Sequence, residues 1–300
     1  MLFDISKAVI EELHDDLFTE KQVSVSVLRL DKIHPLVSGN KLFKLHYFLE
    51  AAMASEHKTI LTFGGAYSNH LAASAYACKA LQLKSIGIVR GERPNQLSST
   101  LQQCLQDDMQ LQFISRQEYA QKDNPVFVNS LKTSYGACTI IPEGGYHSLG
   151  AKGAALIMEL IKDNSYTHIC TATGTATTLA GILMAAKPEQ IIVSIPVLKG
   201  MTDNKIRIKH LTEKEFENLV ILNSYHFGGY AKKSDLLINF INQCWLQYQL
   251  PLDFVYTAKM FFGIIDSIKN DTFTKGSKIL CLHTGGLQGN KSLPSNTLLF

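Results

Sequence analysis

The sequence predicts an α/β protein with mainly parallel sheets and flanking helices. Three observations predict it. Short β-branched or apolar runs alternate with segments of helical spacing along the 300 residues. Several runs stop at glycine or proline, as strands leading into loops do. The helical segments between them supply the crossovers that parallel strands require.

Taken in order, residues 23–30 form a β-branched run that predicts a strand. Residues 41–54 have helical spacing, with Leu42, Leu45, Phe48, Leu49 and Ala52 on one side. A strand over 59–63 ends at Gly64-Gly65, and a helix over 69–81 puts Leu71, Ala75, Cys78 and Leu81 on one stripe. Residues 85–89 predict a strand, 94–108 a helix, 110–114 a strand, and 139–141 a strand stopped by Pro142. A helix over 149–161 carries Leu149, Ala154, Ile157 and Ile161 on its apolar side. A strand over 169–172 leads through a Gly/Thr loop into a helix that ends at Ala186. Strands follow at 191–195 and 219–222, helices at 233–247 and 258–269, and a last strand at 278–282. The charged stretch 199–217 predicts a solvated surface helix or loop.

Composition narrows the function. The chain is 46% hydrophobic and 18% charged, against roughly a quarter charged in ordinary soluble proteins, so it is core-rich and not disordered. Its 29 basic and 26 acidic residues leave a net charge of +3 with no dense basic stripe, which argues against nucleic-acid binding. Cys78, Cys104, Cys138, Cys170, Cys244 and Cys281 lie far apart without a C-x-x-C pair. That pattern fits neither a disulfide framework nor a zinc site, and the histidines lack metal-ligand spacing. Asp4, Glu11, Glu12, Asp15 and Asp16 near the start do not resemble a targeting peptide. No apolar run approaches the roughly 20 residues of a membrane span. A cytoplasmic protein without a membrane partner is expected.

The chemistry concentrates in loops. Ser38-Gly39-Asn40-Lys41 opens a predicted helix. The unpaired amides and positive dipole end there disfavour an ammonium and favour a nucleophilic amine. Lys44 is a rival, and an ordinary surface lysine is the plain alternative. Gly64-Gly65-Ala66-Tyr67-Ser68-Asn69-His70 joins a strand to a helix. Ser68 and Asn69 there suit an anion such as a carboxylate, with simple helix capping as the alternative. From Thr171 to Thr178, five threonines and Gly174 make a cradle of donors for a phosphate. Neither a Walker A motif nor a dinucleotide fingerprint is present. Gly228-Gly229-Tyr230, Val255-Tyr256-Thr257-Ala258-Lys259 and His283-Thr284-Gly285-Gly286 complete the set.

Together these five motifs, in this order from about Val23 to Leu287, resemble the 1-aminocyclopropane-1-carboxylate (ACC) deaminase/D-cysteine desulfhydrase family. The resemblance implies a two-domain, tryptophan synthase β-like fold that binds pyridoxal 5'-phosphate (PLP). It places a smaller inserted domain at 44–146 and a larger PLP-binding domain at 1–43 plus 147–300. It implies that Lys41 carries PLP covalently and that Asn69 meets the ring hydroxyl. Thr173, Gly174, Thr175, Ala176, Thr177 and Thr178 would hold the phosphate, with Thr284 also toward the cofactor. Ser68, Asn69 and His70 would face the substrate, and Tyr230 and Tyr256 match active-site tyrosines.

Thr257 matches the partner of the pyridine nitrogen, where the cyclopropane deaminases carry glutamate. A hydroxyl is not an anion, which favours loss of a Cα proton and departure of a thiolate over opening of a cyclopropane ring. The implied activity is therefore desulfhydration of D-cysteine, with ACC deamination as runner-up and a PLP-binding protein of little turnover as the reading from another class. A small amino acid is the expected substrate and a homodimer the expected assembly. Ala176, Thr177 and Ala258 stand where relatives have glycines, and their methyls are expected to narrow the phosphate site.

Overall fold

The computed structural model describes residues 2–34 and 39–300, so Ser38 of the lysine motif lies outside the described residues. The chain begins with β1 (Val9–Leu13), α1 (Asp16–Glu20) and β2 (Ser24–Arg29). Then come α2 (Asn40–Ala54), β3 (Thr59–Gly64), α3 (Asn69–Ala80), β4 (Lys84–Arg90), α4 (Ser99–Gln106) and β5 (Gln110–Ile114). Next are α5 (Arg116–Tyr119), α6 (Pro125–Tyr135), β6 (Thr139–Ile141), α7 (Ser148–Ala155), β7 (His168–Thr173) and α8 (Thr177–Ala185). The rest is β8 (Ile191–Pro196), α9 (Asn204–Thr212), β9 (Leu219–Ile221), α10 (Asp235–Tyr248), α11 (Thr257–Lys269) and β10 (Lys278–His283).

The strands make two sheets. A six-stranded sheet has the order β1-β2-β10-β7-β8-β9, and a four-stranded sheet the order β5-β4-β3-β6. Every pairing is parallel except β1 with β2. The expected α/β architecture is therefore present.

Strand alternation explains why the large sheet is covered on both faces. Val25 and Val27 of β2, Cys170 of β7, and Ile279 and Cys281 of β10 enter one core with Leu237 and Ile241 of α10 and Phe261 and Ile264 of α11. Leu28, Ile169, Leu280 and Leu282 point the other way, into a core that also holds Phe43 and Leu45 of α2, Ala154 of α7 and Ile182 of α8. Ile60 and Ile141 of the small sheet join that same core, so α2, α7 and α8 pack between the sheets. Each fully buried side chain of Leu or Phe size contributes about 1.5–3 kcal/mol. The helices approach until backbones touch: a Cβ on Gly153 would lie 2.0 Å from the Phe43 carbonyl oxygen.

The elements depart from the expectation in three ways. The helix expected over 94–108 begins only at Ser99, because Ser98 Oγ accepts the Leu101 N–H and caps it there. The helix expected over 149–161 gives way to a 3-10 turn at Leu156–Leu160. The short β1, α1, α5 and α6 were not expected.

Candidate active site

Three adjacent strands of the large sheet release their loops side by side at their carboxyl ends, where open α/β sheets collect ligands. β2 leads toward Lys41, β10 into residues 284–286, and β7 into the threonine loop. In the small sheet, β3 is flanked by β4 and β6 and delivers Ser68, Asn69 and His70.

Gly39 seats the lysine. It has φ +74°, and a Cβ there would lie 1.8 Å from the Thr284 carbonyl oxygen. Only glycine lets α2 start against this loop, and the Asn40 N–H donates to that carbonyl at 3.3 Å. Lys41 follows, buried, with its Nζ 5.5 Å from the Tyr256 ring centroid. Burial lowers its pKa to about 8, against the pull of the Asp253 carboxylate. Lys44 is separated from it by role: its Nζ donates to the Gly144 carbonyl at 2.7 Å. Burial and the Lys41 charge lower the Lys44 pKa to about 7.

Asn40 Nδ2 donates to Thr178 Oγ1 at 2.7 Å and so ties the lysine helix to the threonine loop. Thr175 and Thr177 hydroxyls are 2.9 Å apart at the start of α8, and Gly174 faces the edge of Tyr256. Thr173 turns away, its hydroxyl 2.8 Å from Ser194 on β8. Ala176 takes a left-handed φ of +67° as the residue before α8. It and Ala258 are buried members of the two apolar cores, so packing absorbs their methyls.

On the small-sheet side, Ser68 caps α3 by accepting the Leu71 N–H at 3.2 Å. Capping is therefore real, and the hydroxyl keeps its own proton to donate. The Thr62 hydroxyl donates to the Ile141 carbonyl at 2.8 Å, so it accepts from His70 Nε2 at 2.9 Å. That sets the tautomer and leaves His70 Nδ1 a buried acceptor with no partner among the described residues. Burial and the two lysines lower the His70 pKa to about 3, so the ring is neutral. Asn69 Oδ1 is likewise buried and without a partner among the described residues.

Tyr230 and Tyr256 form an edge-to-face pair with centroids 6.0 Å apart. Burial, then the neighbouring Tyr230, raises the Tyr256 phenol well above its usual range, so it stays a proton donor. Tyr230 is 49% exposed at the rim. Thr257 is fully buried behind Tyr256, and Thr284 is buried at the end of β10.

Three further residues belong here: Asp253, which lies outside the motifs, and Gly286 and Lys259, which stand in them without an expected role. Asp253 is fully buried and accepts the N–H groups of Val255, Tyr256 and Thr257 at 2.8–2.9 Å. Its carboxylate thereby holds the turn that leads into α11. Gly286 is the spacer beside it, since a Cβ there would lie 3.2 Å from Asn69 Nδ2 and 3.3 Å from Asp253 Oδ1. Lys259 Nζ donates to the carbonyls of His226 and Gly229 at 2.9 and 2.6 Å and pins the turn that presents Tyr230. A depression of about 400 Å³ lined by Glu12, Asp15, Thr19, Ser24 and Gln247 lies where β2 begins, away from this chemistry.

No family model matches the chain. It is 29% identical, over 90% of its length and 86% of the relative's, to a Pyrococcus abyssi protein provisionally named 1-aminocyclopropane-1-carboxylate deaminase. It is also 29% identical to a bifunctional D-cysteine desulfhydrase/1-aminocyclopropane-1-carboxylate deaminase of Arabidopsis thaliana, over 84% of this chain and 70% of that one. A crystal structure described as an ACC deaminase homologue superposes with a TM-score of 0.81 at 26% identity, covering 96% of this chain and 92% of the other. Over most of its length the chain resembles ACC deaminase/D-cysteine desulfhydrase proteins in sequence and fold. These relatives are named as enzymes, and the resemblance implies PLP as the cofactor. No helix among the described residues is long and apolar enough to cross a membrane.

The residues present fit PLP. A buried lysine with a lowered pKa, an orphaned Asn69 amide oxygen, and a loop of hydroxyls at the start of α8 are the donor and acceptor set that an aldehyde, a phenolic oxygen and a phosphate need.

The two lysines give the cofactor-free protein a pH signature. In the folded state Lys44 and Lys41 lose their protons near pH 7 and 8, whereas 10.5 is the ordinary lysine value. Between those limits the unfolded chain binds more protons, so this contribution to stability rises with pH. Melts at pH 6.5 and 8.5 should show wild type gaining more from the change than Lys44→Met. Equal gains contradict the assignment.

Proposed function

We propose that this protein is a PLP-dependent lyase of the ACC deaminase/D-cysteine desulfhydrase family acting on a small amino acid, with D-cysteine converted to pyruvate, sulfide and ammonia. The observation that carries this reading is Thr257, an uncharged side chain at the position where the cyclopropane deaminases carry glutamate. Bound PLP supplies an electron sink for the pair left at Cα. Lys41 serves as the residue that holds the cofactor, and its amine, tuned to a pKa of about 8 by burial, is suited to take and return a proton near neutral pH. Ser68 offers its hydroxyl proton to the substrate carboxylate, beside Asn69 and the neutral His70. Tyr256 donates from inside the site and Tyr230 from its rim. The burial of Lys41, His70 and Thr257 keeps water from the reacting carbon.

A second reading, ACC deamination, has its own support in Asp253, a carboxylate one hydrogen bond behind Thr257. Turnover decides between them. D-cysteine should yield sulfide and pyruvate, while ACC should yield little 2-oxobutyrate; efficient ring opening by the unmodified enzyme overturns the first reading. Thr257→Glu alone would set a second carboxylate against Asp253, so a shift toward ring opening is to be sought in Asp253→Asn/Thr257→Glu.

We further propose residues 44–146 as the smaller inserted domain, and 1–43 with 147–300 as the larger. The four-stranded sheet falls within the first segment and the six-stranded sheet within the second, while α2 runs across the junction. A cytoplasmic homodimer is the form proposed.

A further inference from the structure

The Thr257 hydroxyl has one proton and two lone pairs. Its oxygen lies 2.8 Å from Asp253 Oδ1 and accepts the Asp253 backbone N–H at 2.8 Å. Asp253 cannot supply the proton between the two side chains. Its Oδ1 already takes the Thr257 N–H at 2.9 Å, and Oδ2 takes the Val255 and Tyr256 N–H groups at 2.9 and 2.8 Å. With the Thr257 hydroxyl, four donors fill the four lone-pair positions of a carboxylate. The hydroxyl proton therefore points to Asp253; the other acceptor in reach, the Asp253 carbonyl, is 3.4 Å away. One lone pair of Thr257 remains.

We infer that Asp253 is a positioning residue that locks the Thr257 hydroxyl as a hydrogen-bond acceptor, so that this chain holds its cofactor with the ring nitrogen protonated. The inference rests on the reading that the ring nitrogen meets Thr257. A bare pyridine nitrogen would need Thr257 to donate. Turning the hydroxyl toward it would leave Thr257 Oγ1 and Asp253 Oδ1 2.8 Å apart with no proton between them. A protonated nitrogen meets the open lone pair instead, and its charge faces a buried carboxylate one hydrogen bond away. Both side chains are fully buried, so water does not compete for these bonds. Gly286 keeps the space between Asp253 and Asn69 open, where a methyl would press on both. The carboxylate stays one hydrogen bond back, so the group in contact with the ring remains the uncharged hydroxyl on which the D-cysteine reading rests.

The test is the ring ¹⁵N resonance of the full chain reconstituted with ring-labelled PLP, read from pH 6.5 to 9. Wild type and Thr257→Ser should hold the pyridinium position throughout. Thr257→Val should move the resonance to the neutral-pyridine position within that range, and Asp253→Asn should do the same. A neutral-pyridine signal in wild type that still responds to Thr257→Val overturns the inference and leaves the placement of the ring intact. A signal that Thr257→Val does not move overturns both. If Asp253→Asn does not fold, the Val and Ser variants decide, because a hydroxyl that accepts from the ring has Asp253 as the acceptor for its own proton.

Discussion

Lys41→Ala should lose on the order of 10³-fold or more of the turnover, while the cofactor-free variant melts at or above the cofactor-free wild type. The two halves of this result come from one fact. Lys41 is a buried amine whose charged form is disfavoured by its surroundings, with its pKa lowered to about 8. Removing it takes away a desolvated charge and little apolar packing, so the fold does not need it. The chemistry does, because it is the buried amine beside Tyr256, on the helix that Asn40 ties to the threonine loop. The comparison must use cofactor-free proteins, since bound PLP stabilises whichever chain holds it better. Activity kept in Lys41→Ala, with Lys44 intact, would move the role to Lys44.

Gly39→Ala should destabilise by roughly 3 kcal/mol or more and prevent loading of the cofactor. Two costs combine at this residue. Its φ of +74° with ψ of −149° belongs to a region that side chains avoid. Its Cβ would also land 1.8 Å from the Thr284 carbonyl oxygen, which is backbone and cannot swing aside. Gly200→Ala is the control. That residue has φ +73° but nothing within 4 Å, so it reports strain alone, about 1 kcal/mol. Equal effects of the two substitutions in thermal melts would mean that the contact with Thr284 does not hold α2 in place.

Much of this was legible in the sequence, and the parts that were not have physical reasons. The apolar stripe of Leu42, Leu45, Phe48 and Leu49 announces α2, because one face of a helix has to find a core. The buried strands β7, β8 and β10 are apolar runs, as strands covered on both faces must be. Strand order was not legible. β10 lies between β2 and β7 although some 250 residues of chain separate it from β2, and nothing in a short apolar run names its partner. β1 was hidden by Glu11 and Glu12. Glu11 looks like surface charge until β2 sets Arg29 beside it, 2.6 Å away. α6 had its signal in Asn124-Pro125, a capping side chain followed by proline in the first turn, but its β-branched and aromatic residues do not advertise a helix.

The site divides the same way. The motifs carried Lys41, Ser68, Asn69 and the threonine loop, because their chemistry is local to a loop and a helix start. Asp253 was missed because its importance comes from what it touches. It lies four residues from Thr257, and only the folded turn brings its carboxylate under that hydroxyl and its charge near Lys41. Thr173 shows the opposite case, a threonine in the right loop whose hydroxyl is spent on Ser194.

The assignment of Lys41 supports everything else proposed for this enzyme, and one measurement addresses it directly. The purified protein, loaded with PLP, is reduced with borohydride, digested and mapped by mass spectrometry. The account predicts a pyridoxyl group on Lys41 and none on Lys44, whose Nζ is held by the Gly144 carbonyl at 2.7 Å. A pyridoxyl group on Lys44, or on neither lysine, would contradict it.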